Sequence, residues 1–153
     1  LGLGCAAVVI ALDQFSKWLI LTEVMNPPRI IEVTGFFNFV LVGNRGVSFG
    51  LFASDAWWVQ PAFATFATLI SVFLGFWMRR AENQFLAVSL GLVIGGALGN
   101  AIDRLAHKAV IDFLDFHVAG YHWPAFNIAD SAITVGVIFI IAEGLFAGQK
   151  QTK

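Results

Sequence analysis

The sequence predicts an all-α polytopic membrane protein with four transmembrane helices and a small extracytoplasmic β-sheet. Of the 153 residues, 58% are hydrophobic and only 12% are charged, and the mean hydropathy is +0.79. Soluble domains rarely carry so few charges. Four long apolar runs supply the helices, and a segment rich in β-branched and aromatic residues between the first two supplies the sheet. The length suits one membrane-embedded domain over residues 1–153.

Each apolar run is long enough, or nearly so, to cross the hydrocarbon core, which takes about 20 residues. Tryptophans lie near the proposed ends, as interfacial aromatic residues do. The first run is too long for the apolar region of a signal peptide and lacks a small-residue cleavage site. Since the chain begins at Leu1 rather than Met, we expect a short N-terminal piece to be missing. The predicted spans cover residues 1–21, 57–78, 85–102 and 128–146.

The basic residues predict the orientation of the spans. Four spans place both termini on one side of the membrane. The short connection after the second span contains Arg79 and Arg80, and the tail contains Lys150 and Lys153. Basic residues concentrate in cytoplasmic segments. The termini and this connection are therefore predicted to be cytoplasmic.

The outer segment over residues 22–56 is predicted to form short strands. Arg29–Val33 and Phe36–Val42 are rich in β-branched and aromatic residues, and glycines separate them as turn residues do. Their apolar character indicates a small sheet that rests on the membrane surface. The second outer segment, residues 103–123, is predicted only as the connection from the third span to the fourth.

Two aspartates are the leading candidates for chemistry. Asp112 lies in the second outer segment, and Asp130 opens the last apolar run. Both fall near the outer interface, because the third span ends there and the fourth begins there. A carboxylate at the edge of hydrocarbon is costly, so it is a functional candidate by default. Two carboxylates in one site can share a proton, which is the chemistry of aspartic proteolysis.

A structural interpretation competes with this one. Aspartate is a favoured helix cap, so Asp130 could simply cap the fourth span, and Asp112 could be a solvated loop residue. Spacing alone does not choose between the two interpretations. It does predict one shared helix face for four polar residues, Asn127, Asp130, Ser131 and Thr134.

Further polar residues occur at helical spacing in the first and third spans. Asn100, Asp103 and Arg104 share a face, where the arginine could hold a carboxylate ionised or orient a peptide carbonyl. A plain interfacial anchor between Asp103 and Arg104 is the alternative. Asp13 and Lys17 are spaced i, i+4 with the acid first, the favourable order. Because pairing lowers the cost of burial, a structural role is predicted for this pair.

Glycines mark a loop and a helix face. The segment Gly43–Gly50 lacks the lysine and following helix of a phosphate loop, but it could form a lip that binds an extended peptide. Gly91, Gly95 and Gly99 recur every four residues, which lets membrane helices approach closely. Such packing would bring Asn100 and Arg104 near a neighbouring span.

Other chemistries have weaker support. Four residues, Asp112, Asp115, His117 and His122, could supply metal ligands, but there is no HExxH motif and no cysteine pair. A serine mechanism lacks a base beside Ser131, and Ser16 and Lys17 are adjacent, so they point different ways on a helix. The net charge of −1 gives no support to nucleic-acid binding. The single cysteine, Cys5, excludes an intrachain disulfide and is assigned a packing role.

Taken together, these residues resemble the lipoprotein signal peptidases, the type II signal peptidases of bacteria, over nearly the whole chain. One block alone would be weak, whereas five blocks in this order are specific. Arg45 is a departure, since the family often has threonine there. The blocks are Asp13–Lys17, Asn44–Phe49, Gly95–Arg104, Val110–Phe113 and Phe126–Ser131.

The resemblance implies a peptidase of the bacterial inner membrane whose active site lies near the outer face, under a β-sheet cradle. Asp112 and Asp130 carry over as the catalytic pair, without metal or cofactor. Cleavage would occur just before the lipobox cysteine, and the expected partners are diacylglyceryl-modified prolipoproteins and membrane lipid, with the enzyme as a monomer. The residues expected to bind substrate are Asn44, Gly46, Asn100, Arg104 and Asn127, and the structural polar residues are Asp13, Lys17 and Asp103.

Two other functions compete with that of a peptidase. A small proton- or ion-conducting protein could use Asp13, Asp103 and Asp130 as a relay, but a relay needs polar residues through the full depth of the membrane. Here they cluster toward the outer edge, and spans two and three have apolar middles. A non-catalytic assembly factor built on the glycine face would leave Asp112 and Asp130 unexplained.

Overall fold

Four long helices form the body of the protein. The computed structural model describes residues 1–46 and 56–150, without the side chains of residues 146–150. The helices are α1 (Gly2–Leu19), α2 (Val59–Met78), α3 (Gln84–His107) and α4 (Ile128–Lys150). A π-helical turn, Ile20–Val24, extends α1. Within the described residues, four segments are long and apolar enough to cross a membrane: Gly2–Val24, Val59–Met78, Gln84–His107 and Ile128–Leu145.

The third helix corrects the predicted end of the third span. Its N-cap is Asn83, whose side chain accepts the Leu86 N–H at 2.8 Å, and it continues to His107 rather than stopping at residue 102. Asp103 and Arg104 therefore belong to the helix and not to a connecting segment. Sequence hydropathy ends the span early because it counts Asp103 as a solvent-exposed charge. In the structure Asp103 is only 1% exposed and is paired with Lys17 on α1.

Glycines let α3 lie close against both α1 and α4, as their spacing predicted. A Cβ on Gly95 would lie 2.7 Å from the Val9 Cβ of α1. A Cβ on Gly96 would collide with the Ala129 carbonyl oxygen of α4. A Cβ on Gly99 would lie 2.6 Å from the Asp13 carboxylate. Small residues thus bring the polar groups of α1 and the start of α4 against one face of α3.

The sheet has four antiparallel strands in the order β1–β2–β3–β4. They are β1 (Ile31–Thr34), β2 (Phe37–Asn44), β3 (Val110–Val118) and β4 (Tyr121–His122). The strands β1 and β2 confirm the two predicted strands with shifted ends. The label all-α is not confirmed, and the connection over residues 103–123 contains two strands, β3 and β4, that the sequence did not predict. Two aspartates interrupt the apolar pattern of β3, and aspartate is depleted in strands.

Strand register brings the sheet to the ends of the helices. Val42 pairs with Asp112 and Asn44 with Val110, so the end of β2 lies beside the start of β3. Leu114 and Phe126 exchange backbone hydrogen bonds of 2.9 and 3.1 Å, which holds the residue before Asn127 against β3. The cluster of Ile20, Met25 and Phe113 joins the sheet to the end of α1. The start of α4 and the start of β3 therefore meet at one place.

Candidate active site

Asp112, the third residue of β3, is buried at 1% exposure between two asparagines. Its Oδ1 accepts a hydrogen bond from Asn127 Nδ2 at 2.7 Å, and its Oδ2 accepts one from Asn44 Nδ2 at 3.1 Å. The interpretation of Asp112 as a solvated loop residue is therefore wrong. Strand pairing with β2 and the contact between Phe126 and Leu114 explain why this carboxylate is enclosed.

Asp130, the third residue of α4, takes part in the N-terminal cap and also faces α3. Its backbone N–H donates to Asn127 Oδ1 at 2.9 Å, and its Oδ2 accepts the backbone N–H of Asn127 at 3.3 Å. This reciprocal pair is a capping box in which Asn127 is the N-cap. The other carboxylate oxygen, Oδ1, accepts from Asn100 Nδ2 at 2.7 Å. The cap interpretation is thus correct for one oxygen and leaves the other available for chemistry.

Asn127 joins the two aspartates through one fully buried side chain. Its amide nitrogen contacts Asp112, and its amide oxygen contacts the backbone of Asp130. The predicted polar face of α4 is only partly used, because Ser131 and Thr134 donate back to the helix carbonyls of Asn127 and Asp130. The site therefore consists of two carboxylates with one asparagine between them.

Electrostatics favour a proton on Asp112. Burial, and after it the negative charge of Asp130, raise the pKa of Asp112 to about 7. Hydrogen bonds from Asn44 and Asn127 and the charge of Lys17 act in the opposite direction. At neutral pH a substantial fraction of Asp112 is therefore protonated, so the pair can hold one shared proton.

A buried ion cluster lies beside the pair, centred on Lys17. The Lys17 Nζ donates to Asp13 Oδ2 at 2.8 Å, to Asp103 Oδ2 at 2.7 Å and to Asn100 Oδ1 at 3.1 Å. The predicted i, i+4 pair of Asp13 and Lys17 is confirmed. The alternative of an Asp103–Arg104 anchor is wrong, since the Asp103 carboxylate is bound by α1.

Both acids of this cluster also hold backbone next to the aspartate pair. Asp13 Oδ1 accepts the N–H of Ala129 at 3.0 Å, and Asp103 Oδ2 accepts the N–H of Ile111 at 3.1 Å. Gln14 Nε2 donates to Asp103 Oδ1 at 2.9 Å. Gln14 lies within the Asp13–Lys17 block, but the sequence alone indicated no role for it. A polar residue in the middle of an apolar span was the available signal.

Arg104 connects α3 to the end of β2. Its Nη2 donates to the carbonyl of Gly46 at 3.2 Å, and its Cζ lies 5.4 Å from the ring centroid of Phe63. The N–H of Gly46 donates to Asn44 Oδ1 at 3.0 Å, which directs the amide nitrogen of Asn44 toward Asp112. The structure thus brings Asn44, Gly46 and Arg104 together as predicted. Positions 47–50 of the predicted peptide lip lie outside the described residues.

Gln60, on the first turn of α2, was missed by sequence reasoning. It is buried at 4% exposure, and its Nε2 donates to the Arg45 carbonyl at 2.6 Å. The only sequence signal was a glutamine near the start of an apolar helix. Gln60 ties α2 to the segment that carries Asn44.

The residues considered as metal ligands do not converge. Asp115 lies 2.8 Å from His122 Nδ1 and accepts from Asn38 Nδ2 at 3.0 Å, whereas Asp112 faces Asn44 and Asn127. Burial would raise the pKa of Asp115, but the hydrogen bonds from His122 and Asn38 outweigh it and hold the pKa below its ordinary value. Over residues 1–46 and 56–150, no three His, Cys, Asp or Glu side chains group as a metal site would require.

Comparison with known proteins assigns the family. Residues 5–146 match the family model described as signal peptidase (SPase) II. A lipoprotein signal peptidase of Paraburkholderia phytofirmans is 44% identical over 144 residues, which cover 94% of this chain and 83% of the relative. A lipoprotein signal peptidase of Burkholderia multivorans is 46% identical over 146 residues, which cover 94% of this chain and 86% of the relative.

A solved structure supports the same family assignment. A bacterial membrane enzyme determined by the in meso method at 2.3 Å superposes with a TM-score of 0.85 and 33% sequence identity, covering 99% of this chain and 91% of that chain. The four apolar helices and the small sheet are therefore those of a multi-pass membrane enzyme. With this fold, and with family motifs that extend almost from end to end, the chain is a membrane peptidase that belongs to the signal peptidase II family.

Proposed function

We propose that this protein is an aspartic endopeptidase that removes the signal peptide from diacylglyceryl-modified prolipoproteins, with Asp112 and Asp130 as the catalytic pair. The observation that carries the proposal is the arrangement of two carboxylates joined through Asn127, where β3 meets the start of α4. Cleavage occurs at the peptide bond just before the lipid-bearing cysteine. The names of the relatives, lipoprotein signal peptidases, agree with this substrate class.

In the proposed mechanism Asp130 is the base and Asp112 is the acid. The Asp130 carboxylate accepts from Asn100 and from a backbone N–H at the start of α4, both of which favour the charged form. A pKa near 7 lets Asp112 carry the proton. Water adds to the scissile carbonyl carbon, its proton moves to Asp130, and the Asp112 proton moves to the carbonyl oxygen.

Collapse of the tetrahedral intermediate completes the cycle. The proton on Asp130 moves to the leaving nitrogen, the carbon–nitrogen bond breaks, and a hydroxyl proton of the intermediate returns to Asp112. The products are a carboxylic acid at the end of the signal peptide and a free amine on the lipidated cysteine. No metal enters any step.

The surrounding polar residues are assigned to substrate binding and to the shape of the site. Asn44 and Gly46 at the end of β2, Asn100 and Arg104 on α3, and Asn127 at the start of α4 surround the pair. The peptide lies along the sheet at the outer face of the inner membrane, while its acyl chains stay in the bilayer. This arrangement explains why a peptidase of this kind is membrane-embedded.

The competing function, a proton or ion conductor, is not favoured. Its relay would need Asp13 and Asp103 to exchange protons with Asp130. Both carboxylates are instead bound by Lys17 Nζ at 2.8 and 2.7 Å. Carboxylates that share one buried ammonium group suit a fixed structure better than a relay.

The decisive experiment substitutes each aspartate alone. Asp112→Asn and Asp130→Asn should each lower cleavage of a diacylglyceryl-modified precursor by on the order of 10⁴-fold or more, because a shared-proton mechanism needs both carboxyls. Gel-shift cleavage by purified protein measures the rate. Asp115→Asn, the same change three residues further along β3, is the matched control and should retain most activity. Substantial activity in either active-site variant would sink the aspartic mechanism.

Chelation tests whether the reaction needs a metal ion. Activity should survive exhaustive treatment with a chelator, because the proposed steps use only carboxyl groups and water. Loss of activity that zinc restores would instead direct attention to Asp115, His117 and His122.

Lipid on the substrate should strongly increase kcat/KM. We expect kcat/KM for the lipidated precursor to exceed that for the same peptide without lipid by on the order of 100-fold or more, because acyl chains contribute about 0.8 kcal/mol per buried CH₂ and fix the peptide at the membrane surface. Both forms are compared in one detergent or bilayer. Equal values would favour a general intramembrane peptidase.

A further inference from the structure

The buried Lys17 has three hydrogen-bond arms that lead to the two aspartates by different routes. One arm goes to Asp13, which holds the N–H of Ala129 beside Asp130. A second goes to Asp103, which holds the N–H of Ile111 beside Asp112. The third goes to the amide oxygen of Asn100, whose nitrogen contacts Asp130 itself. One ammonium group, 2% exposed, is thus connected to both sides of the candidate active site.

The third arm, together with a hydrogen bond of 3.2 Å from Asn127 Nδ2 to the same oxygen, determines which way the Asn100 amide points. An ammonium group can only donate, so it must face the oxygen of Asn100 and not the nitrogen. With Oδ1 3.1 Å from Lys17 Nζ, the amide NH₂ is turned to Asp130 Oδ1 at 2.7 Å. A flipped amide would place an oxygen against the carboxylate and a nitrogen against the ammonium. Lys17 therefore excludes the orientation that would repel an ionised Asp130.

The geometry points to Lys17 as a positioning residue of the peptidase reaction, acting through Asn100 to keep an N–H donor on the Asp130 carboxylate. This inference rests on the proposed function and deepens it, since it names what prepares the base for the attack on water. It also gives the Asp13–Lys17–Asp103 cluster a part in the reaction beyond holding helices together. The cluster has no direct role in substrate binding.

Testing Lys17 requires that its two acid partners are neutralised with it. Removal of one member of a buried ion cluster leaves uncompensated charge, whereas replacement of the whole cluster by residues of similar volume is often tolerated. The triple variant Asp13→Asn/Lys17→Met/Asp103→Asn keeps amide oxygens for the N–H groups of Ala129 and Ile111. It removes the charged one of the two donors to the Asn100 amide oxygen and leaves the neutral donor, Asn127 Nδ2 at 3.2 Å.

The triple change is measured in the wild-type protein and in Asn100→Leu. Comparing kcat and KM in these two backgrounds distinguishes a positioning role of Lys17 from a general loss of packing. We expect the triple variant to lose on the order of 100-fold in kcat with KM changed less than about threefold, since only the preparation of the base is affected. Asn100→Leu should show a loss of similar size. Adding the triple change to Asn100→Leu should cause little further loss, because both act through one contact. Losses that multiply, or a wild-type kcat in the triple variant, would overturn the inference.

A second variant keeps the inference testable if the triple variant does not fold. Asn100→Asp has the same shape and keeps an oxygen toward Lys17, but it presents an oxygen instead of N–H to Asp130. Its kcat should fall as far as that of Asn100→Leu, and wild-type kcat in Asn100→Asp would contradict the inference. Lys108→Met, which removes an exposed ammonium at the end of α3, is the control and should leave kcat unchanged. Failure of the wild-type protein to cleave the precursor would instead refute the proposed function.

Discussion

At the scale of single residues, asparagines rather than cations hold the two carboxylates. Asn44 and Asn127 donate to Asp112, and Asn100 donates to Asp130. An asparagine offers an N–H without a charge, so it orients a carboxylate and still allows the pair to keep a proton. A lysine or arginine in direct contact would favour two ionised carboxylates. Lys17 is one contact further away, bound to Asn100 and to the acids of its own cluster.

The pKa of Asp112 predicts an alkaline limit to activity. Because the proposed mechanism needs a proton on Asp112, kcat/KM should fall as the pH rises through about 7, the value that burial and the charge of Asp130 give this carboxyl. This fall is measured as a profile of kcat/KM against pH, at a constant saturating concentration of lipid and at constant ionic strength. A profile that stays flat from pH 6 to about 9 would contradict the assignment of Asp112 as the acid.

The same shift predicts how stability depends on pH. The folded protein holds the Asp112 proton more tightly than the unfolded chain, whose pKa is near 3.8. This contribution to the free energy of unfolding is fully present below pH 4 and is lost as the pH rises to about 7, by roughly 4 kcal/mol. Asp112→Asn lacks it, so the Tm of the variant minus that of the wild type should increase over this interval. A constant difference would show that Asp112 titrates normally.

At the scale of elements, α3 is the helix on which the site is assembled. Its glycines admit α1 on one side and α4 on the other, and its last turns carry Asn100, Asp103 and Arg104. Gly96 lies against the carbonyl of Ala129, the residue before Asp130. Helix packing and site geometry therefore depend on the same contact.

Gly96→Ala should destabilise the protein by about 1–3 kcal/mol and reduce cleavage, because the new methyl group would displace the start of α4. Gly75→Ala on α2 is the matched control, since, apart from the adjoining backbone of α2 itself, no atom of the described residues would lie within 4 Å of the added Cβ. This control should be neutral or stabilising by up to about 1 kcal/mol, because alanine is the better helix former. Thermal unfolding in detergent and the cleavage assay measure both, and equal behaviour of the two variants would contradict this account of packing.

At the scale of the whole molecule, the polar chemistry is gathered at one end of the helix bundle. The end of α3, the start of α4 and the sheet meet there. The opposite end carries the α2–α3 turn with Arg79 and Arg80, where the Asn83 side chain donates to Glu143. A membrane peptidase built in this way presents its site at a single face of the bilayer.

Cysteine labelling of intact cells determines which face that is. In a Cys5→Ala background, Tyr121→Cys on the exposed β4 strand should react with an impermeant maleimide, because the sheet is proposed to lie outside. Glu82→Cys in the α2–α3 turn should react only after the cells are lysed, because basic turns are retained in the cytoplasm. The reverse pattern would place the active site on the cytoplasmic side.

Features that depend only on neighbours along the chain could be predicted from the sequence. Apolar runs of membrane length, the glycine spacing of α3 and the i, i+4 pair of Asp13 and Lys17 all repeat with helical geometry, so they could be predicted without any tertiary contact. The two aspartates were identifiable because a carboxylate beside hydrocarbon is costly. The strands β1 and β2 followed from their β-branched and aromatic composition.

Contacts between polar groups that are distant along the chain could not be predicted from the sequence. Asp103 binds Lys17 rather than Arg104, Asn127 joins Asp112 to Asp130, and Gln60 holds the segment before Gly46. The strand β3 forms despite its two aspartates because β2 and the start of α4 give each carboxylate a partner. Such pairings depend on how close the helices and strands pack, and residue spacing within one element carries no information about that distance.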